Sequence, residues 1–319
     1  MWRSLVAYTA GGRRVAGSNP VIPTFKTNIF LNKYMIDLLF AKTFLIVGFM
    51  LVITTFFSRI NKVYETKSEA VITILGSFGF LFGILFFKDS YPINLIFVAI
   101  FSGFVGWSMG PTISALGERF KMKKYKKEAG LLSKTVTTKK MTPVEKLLGF
   151  KDEKKTMYFE KSNPKELFDI ESEKYLLIIK KIKSSNNFKK DNYHQEWQNV
   201  IFQAMTATTI AVISTASLVF SISFDFGIMQ GFLFISLLIL IIFGLLNHFF
   251  FRSRLYSVVR AYLGVIIFTG YLLYDFNQLE KRMSKGDDSW GTAIEIAVNL
   301  YLDIINLFLD ILYIMAESG

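Results

Sequence analysis

Residues 299–312 read NLYLDIINLFLDIL. Asp303 and Asp310 interrupt an otherwise oily run. Asn299, Asp303, Asn306 and Asp310 fall at i, i+4, i+7 and i+11, which is one face of a helix. A charged aspartate at the centre of a bilayer costs about 2.5–3.5 kcal/mol on insertion scales. A polar stripe on an apolar helix is therefore expected to face the inside of a bundle, which makes this last helix central rather than peripheral.

Working outward, residues 270–282 read GYLLYDFNQLEKR and place Asp275 near the end of the preceding apolar run. The short connection MSKGDDSWG (283–291) folds the two runs into an antiparallel pair. Counting back from it brings Asp275 and Asp303 to within one or two helical turns of the same level. Two carboxyls close together in a low dielectric resist ionising together, so they titrate as a unit and share a proton. Blander readings stay open at this point. Asp275 is also compatible with a solvated helix end, and Asp303 with a helix-bridging role beside Asn299 and Asn306. Asp310, nearer the chain end, is expected in water.

The whole chain agrees with a membrane setting. It has 319 residues, 52% of them hydrophobic and 16% aromatic. Seven apolar runs of about the length that spans a bilayer lie near 39–57, 70–87, 93–116, 200–220, 226–251, 255–274 and 293–315. In lipid every backbone group must be satisfied within its own segment, so each run is read as a helix. The fold class expected is all-α: a polytopic membrane protein of seven transmembrane helices, with the C-terminal one central. The absence of cysteine excludes disulfides and thiolate chemistry. The two histidines, His194 and His248, have no ligand-type neighbours at metal spacing. No enzyme activity and no resident cofactor or metal is expected.

Four regions follow. Residues 1–34 form a basic segment with Arg3, Arg13, Arg14, Lys26 and Lys33 and no acid; this composition fits a mitochondrial targeting segment, or a basic tail. Residues 35–116 hold the first three spans. Residues 117–197 form a polar insertion with 21 Lys and Arg against 12 Asp and Glu, opening on ERFKMKKYKKE. Residues 198–319 hold the last four spans and both aspartate motifs. Basic charge beside a bilayer suits anionic lipid headgroups; without a nucleic-acid motif it is no argument for nucleic acid. Within the insertion, residues 162–187 read as one helix, capped by Asn163 with Pro164 at its first position. Leu167, Ile170, Leu176, Ile179 and Ile182 would form its apolar stripe. Such a stripe needs a partner: the membrane surface, the rest of the insertion, or another protein.

At GYLLYDFNQLEKR and NLYLDIINLF the sequence resembles the Bax inhibitor-1 family, also called the transmembrane Bax inhibitor motif family. FSGFVGWSMGP (101–111), WQNVIFQAMTATT (197–209) and GFLFISLLILII (231–242) add to the likeness. The resemblance implies a seven-helix fold with six helices around a central C-terminal one, and a pH-sensitive cation leak, chiefly for calcium, with Asp275 and Asp303 as the proton-sensing pair. It also implies an arginine after the second span that can bond to the pair. Here ILFFKDS (84–90) supplies Lys88, which lacks the planar fork of an arginine. The long insertion departs from the family pattern, and Asp310 is an added acid.

Two functions are weighed. One is a leak channel or exchanger gated by the aspartate pair, with calcium bound in passing. The other is an accessory structural subunit of a large mitochondrial inner-membrane respiratory complex, docked through residues 117–197 and the N-terminus. The compartment expected is the mitochondrial inner membrane, with the endoplasmic reticulum or another endomembrane as the alternative.

Overall fold

A computed structural model of the protein describes residues 24–139, 153–189, 191–251 and 253–318. Among these, seven helices are long and apolar enough to cross a membrane. They are α1 (Thr24–Ile60), α2 (Lys67–Phe87), α3 (Ile93–Glu128), α5 (His194–Ser221), α6 (Gln230–Leu246), α7 (Arg254–Ser284) and α8 (Trp290–Ser318). The chain is an all-α polytopic membrane protein. The boundary expected at residue 34 falls inside α1, whose apolar part runs Leu38–Ile60. Residues 1–23 of the basic N-terminal segment lie outside the described residues.

The bundle has two layers. α8 packs against α1, α3, α5 and α7, while α2 and α6 pack chiefly on α3 and α7. The expected ring of six thus resolves into four helices touching the central one and two outside them. The reason is visible in α2 and α6, which present apolar side chains such as Phe86 and Phe232 outward. In a bilayer those faces meet acyl chains at no cost. Tyr301, Leu300, Leu307 and Leu312 of α8 are fully enclosed.

The α7–α8 connection is built from local chemistry. Gly286 takes φ 72°, and its N–H bonds to the carbonyl of Met283, while that of Asp287 bonds to Arg282. This left-handed glycine termination closes α7. Asp287 and Ser289 then satisfy the first turn of α8: Ser289 Oγ accepts from the Thr292 N–H, and Asp287 Oδ2 accepts from Thr292 Oγ1. Two side-chain links tie the same end of the bundle, Lys42 Nζ to the Asp288 carbonyl and Lys281 Nζ to Asp225 Oδ1, both at 2.5 Å. The Lys281 ammonium holds the Asp225 carboxyl below the usual aspartate range.

At the other end the insertion departs from the sequence reading in two ways. α3 does not stop near residue 116 but continues to Glu128, because its lysine-rich extension contains good helix formers and no breaker. The stretch read as one helix from Asn163 is instead strand β3 (Asn163–Phe168) followed by α4 (Glu173–Ser184). β3 pairs with β2 (Glu153–Glu160), which pairs with β1 (Leu131–Lys139), all antiparallel in the order β1-β2-β3. Ser172, not Asn163, caps the helix, accepting from the Tyr175 N–H at 3.2 Å. Leu131, Phe168 and Tyr175 form the small core of this lobe; Leu167, Ile170 and Leu176 stay exposed. A four-residue helical turn, Asn186–Lys189, leads back towards α5.

Candidate functional site

Asp275 lies on α7 and Asp303 near the middle of α8, only 4% and 6% exposed. Their carboxyl groups are close enough to act on each other directly. Two charged carboxylates repel at such range in a low dielectric, and a bond between them requires one shared proton. No N–H or hydroxyl of the described residues reaches Oδ2 of Asp303. The charged group acting on each carboxyl is the other one, and Tyr271, one turn before Asp275, lies within electrostatic reach of both. Phe276 and Tyr301, one and two residues from the acids, are both fully enclosed, Phe276 against Phe44 and Phe220 and Tyr301 against Phe101. Tyr301 is bound to Thr54 Oγ1 at 2.5 Å, and Thr54 is also bonded to the Ser102 carbonyl, so α8 is fixed to α1 and α3 two residues before Asp303.

Lys88 does not reach this pair. Its Nζ bonds to Glu295 Oε2 at 2.7 Å, and that carboxylate holds the ammonium above the usual lysine range. Glu295 precedes Asp303 by eight residues, about 12 Å along the helix axis, beyond the reach of a lysine stem engaged elsewhere. The expected third member of the site is therefore replaced by a half-exposed ion pair at the end of the bundle. The sequence carried the signal: Glu295 is the first acid within α8.

The polar stripe of α8 is divided. Asp310 is buried at 3%, not solvated, and bonds to Arg260 of α7 at 3.0 Å. Gly264, one turn after Arg260, leaves the space for it; a methyl there would overlap the carboxylate. Asn306 turns back on its own helix and donates to the Leu302 carbonyl at 2.8 Å. Asn299 is exposed. The face predicted as one inward stripe thus holds two buried acids, a self-bonded asparagine and an exposed one. Arg260 was missed because RSRLYSVVR reads as a basic helix start at the water boundary.

A buried acid pair between two helices can release or take up a proton. On losing it the pair becomes a doubly charged oxygen site of the kind hard cations accept. Among the described residues no three His, Asp or Glu side chains converge as a metal site.

Comparison with known proteins adds the following. Residues 192–319 match the family described as Inhibitor of apoptosis-promoting Bax1. The chain is similar to Protein LIFEGUARD 4 of Arabidopsis thaliana, 40% identical over 122 residues, covering 37% of this chain and 47% of that one. It is also similar to the Golgi anti-apoptotic protein of Vaccinia virus (strain Lister), 33% identical over 121 residues, 38% of this chain and 48% of the other. An uncharacterised protein of Campylobacter jejuni is 34% identical over 116 residues, 36% of this chain and 47% of its own. The matched part of this chain spans about half the length of these curated relatives. It contains α5 to α8 and both aspartate motifs.

Proposed function

We propose, from the match over residues 192–319 and the similarity to the LIFEGUARD protein, that the chain is a Bax inhibitor-like membrane protein and that the Asp275–Asp303 contact is the proton-sensitive gate of a cation leak, with calcium as its chief cargo. The observation that carries the reading is the burial of two mutually interacting carboxyls, one on α7 and one on α8. With one proton shared the two helices are held together and the path is shut. A change in protonation alters the attraction between them and shifts the populations of closed and open forms. Ions then pass down their gradient, met in transit by carboxylate oxygens. The test is calcium flux from liposomes across a pH series. Asp275→Asn and Asp303→Asn keep a hydrogen-bonding side chain but cannot share a titrating proton. The wild type is expected to show a pH-dependent flux, and each variant a flat profile. Unchanged flux with an unchanged profile in both variants would falsify the reading.

A second reading is favoured by one observation, the folded β1–β3 and α4 lobe between the third and fourth spans. A structured lobe on a membrane bundle suits a docking surface, and the role it supports is that of an accessory subunit in a large inner-membrane assembly. Migration on a native gel separates the two: a free monomer or dimer opposes it. The mitochondrial inner membrane is proposed as the compartment from the basic residues before α1; fractionation that places the chain in another endomembrane opposes that.

A further inference from the structure

α1 and α5 meet at the end of the bundle away from the insertion, where the rings of Phe40 and Phe220 lie 6.0 Å apart. Toward the insertion a cavity of about 1290 Å³ opens between them, walled also by α3 and floored by Ile304, Ile305 and Phe308 of α8. On one side it is shut by α3 against α5, with Phe120 and Trp197 5.7 Å apart and Gly117 pressed on the indole. On the other it is open at membrane depth, because Thr55, Met205 and Thr209 both line it and are exposed.

The walls suit an acyl chain better than an ion. The hydroxyls of Thr55, Thr208 and Thr209 are each satisfied by a carbonyl of their own helix at 2.7–2.9 Å. What remains facing the space is mainly Leu51, Met109, Ile113, Ile201 and Met205. The mouth, at the ends of α1 and α3, carries Arg59, Lys62 and Lys121 with Glu118 and Asp191. Lys121 is engaged by Asp191 at 2.6 Å, whereas Arg59 and Lys62 are exposed and make no ion pair among the described residues. Two unengaged cations at headgroup level oppose entry of a cation and attract an anion.

We propose that this crevice holds one anionic phospholipid from the surrounding bilayer, an acyl chain against Met205, Ile304 and Ile305 and its phosphate at Arg59 and Lys62. The chain then presses on α8 directly after Asp303. It also lies beside Thr54, which holds Tyr301. The proposal does not rest on the leak reading, and its test measures no flux.

The experiment is native mass spectrometry of the full chain after reconstitution in equimolar phosphatidylglycerol and phosphatidylcholine. One phosphatidylglycerol is expected to stay bound in preference. Each near-surface cation is worth about 1 kcal/mol, about five-fold in affinity. Arg59→Gln with Lys62→Gln should therefore cut the preference by about five-fold or more. Met205→Trp, at a site 55% exposed and so tolerant of size, fills the crevice with the charges intact and should reduce retention of either lipid. Lys180→Gln with Lys181→Gln, two exposed lysines on α4, should change nothing. Equal retention of both lipids by the wild type overturns the proposal. So does an unaltered preference in the Arg59 and Lys62 variant, full retention in Met205→Trp, or an equal loss from the α4 control.

Discussion

Asp310 sits seven residues beyond Asp303 on the same helix, yet the two acids meet opposite surroundings. Asp303 faces another acid, and Asp310 faces the Arg260 guanidinium at 3.0 Å, with a glycine giving it room. Sequence reading recovers the first partnership because both aspartates break apolar runs and the short α7–α8 connection fixes their levels. It does not recover the second. An arginine at a helix entrance and an acid near a chain end each look solvated when read alone, and only the packing of α7 on α8 joins them. The same reason separates Lys88 from the pair: residue order gave it a place after the second span, but Glu295 lies nearer. The Arg260–Asp310 pair predicts an asymmetry. Arg260→Gln leaves a buried carboxylate uncompensated, which costs about 3 kcal/mol. Asp310→Asn leaves an arginine whose side chain is already 37% exposed and can carry its charge to the interface. Unfolding in detergent should show Arg260→Gln losing at least about twice as much stability as Asp310→Asn. Equal losses would show that the pair contributes as a unit and not through its buried anion.

α3 shows how much of an element is written locally and how much is not. Its apolar run, its proline and its glycines are legible in FSGFVGWSMGP. Pro111 has no N–H, so the Trp107 carbonyl four residues earlier loses its helical donor. Asn61, at the end of α1, supplies the replacement: its Nδ2 donates to that carbonyl at 2.9 Å. Beside it Gly110 lets the two backbones approach, since a methyl there would overlap the carbonyls of Ser58 and Asn61. Small residues at helix contacts serve this purpose in membranes, where no hydrophobic force draws helices together. The tertiary half of the arrangement, the choice of Asn61, carries no pattern in the sequence. Nor does the run of β3, where a proline after an asparagine imitates a helix start but the hairpin with β2 claims the segment. Gly110→Ala is expected to push α1 from α3 and cost about 1–3 kcal/mol, the range for overpacking. Gly48→Ala, where a methyl meets nothing within 4 Å, should be close to neutral. Thermal unfolding of the two variants side by side decides it, and similar midpoints would remove Gly110 from the α1–α3 contact.

At the scale of the molecule, the membrane bundle and the polar lobe meet through α3, which carries the one into the other without a break. The C-terminal end of α8 is tied into the same region: Glu317 accepts from Lys123 through its carbonyl at 2.9 Å and pairs with Arg254 through its carboxylate. Above that level one side chain does most of the joining. Lys126 of α3 donates to the Tyr175 hydroxyl at 2.7 Å and lies over the rings of both Tyr158 and Tyr175, at 5.6 and 5.2 Å from their centres. Among the described residues the lobe has a core of three buried side chains, which draws little stability from burial. Its folding is therefore expected to lean on this contact, while the bundle is not. Lys126→Met keeps the apolar stem and removes both the donor and the cation. The loss of a hydrogen bond and a partly desolvated cation–π contact amounts to about 1–2 kcal/mol. Hydrogen exchange should then speed up by about 5- to 30-fold across β1, β2, β3 and α4, with the amides of α5 to α8 unaltered, because the lobe opens as its own unit. Exchange that rises equally in α7 and α8 would mean that lobe and bundle unfold together, and the lobe would then be part of the bundle's support instead of a separate body carried on α3.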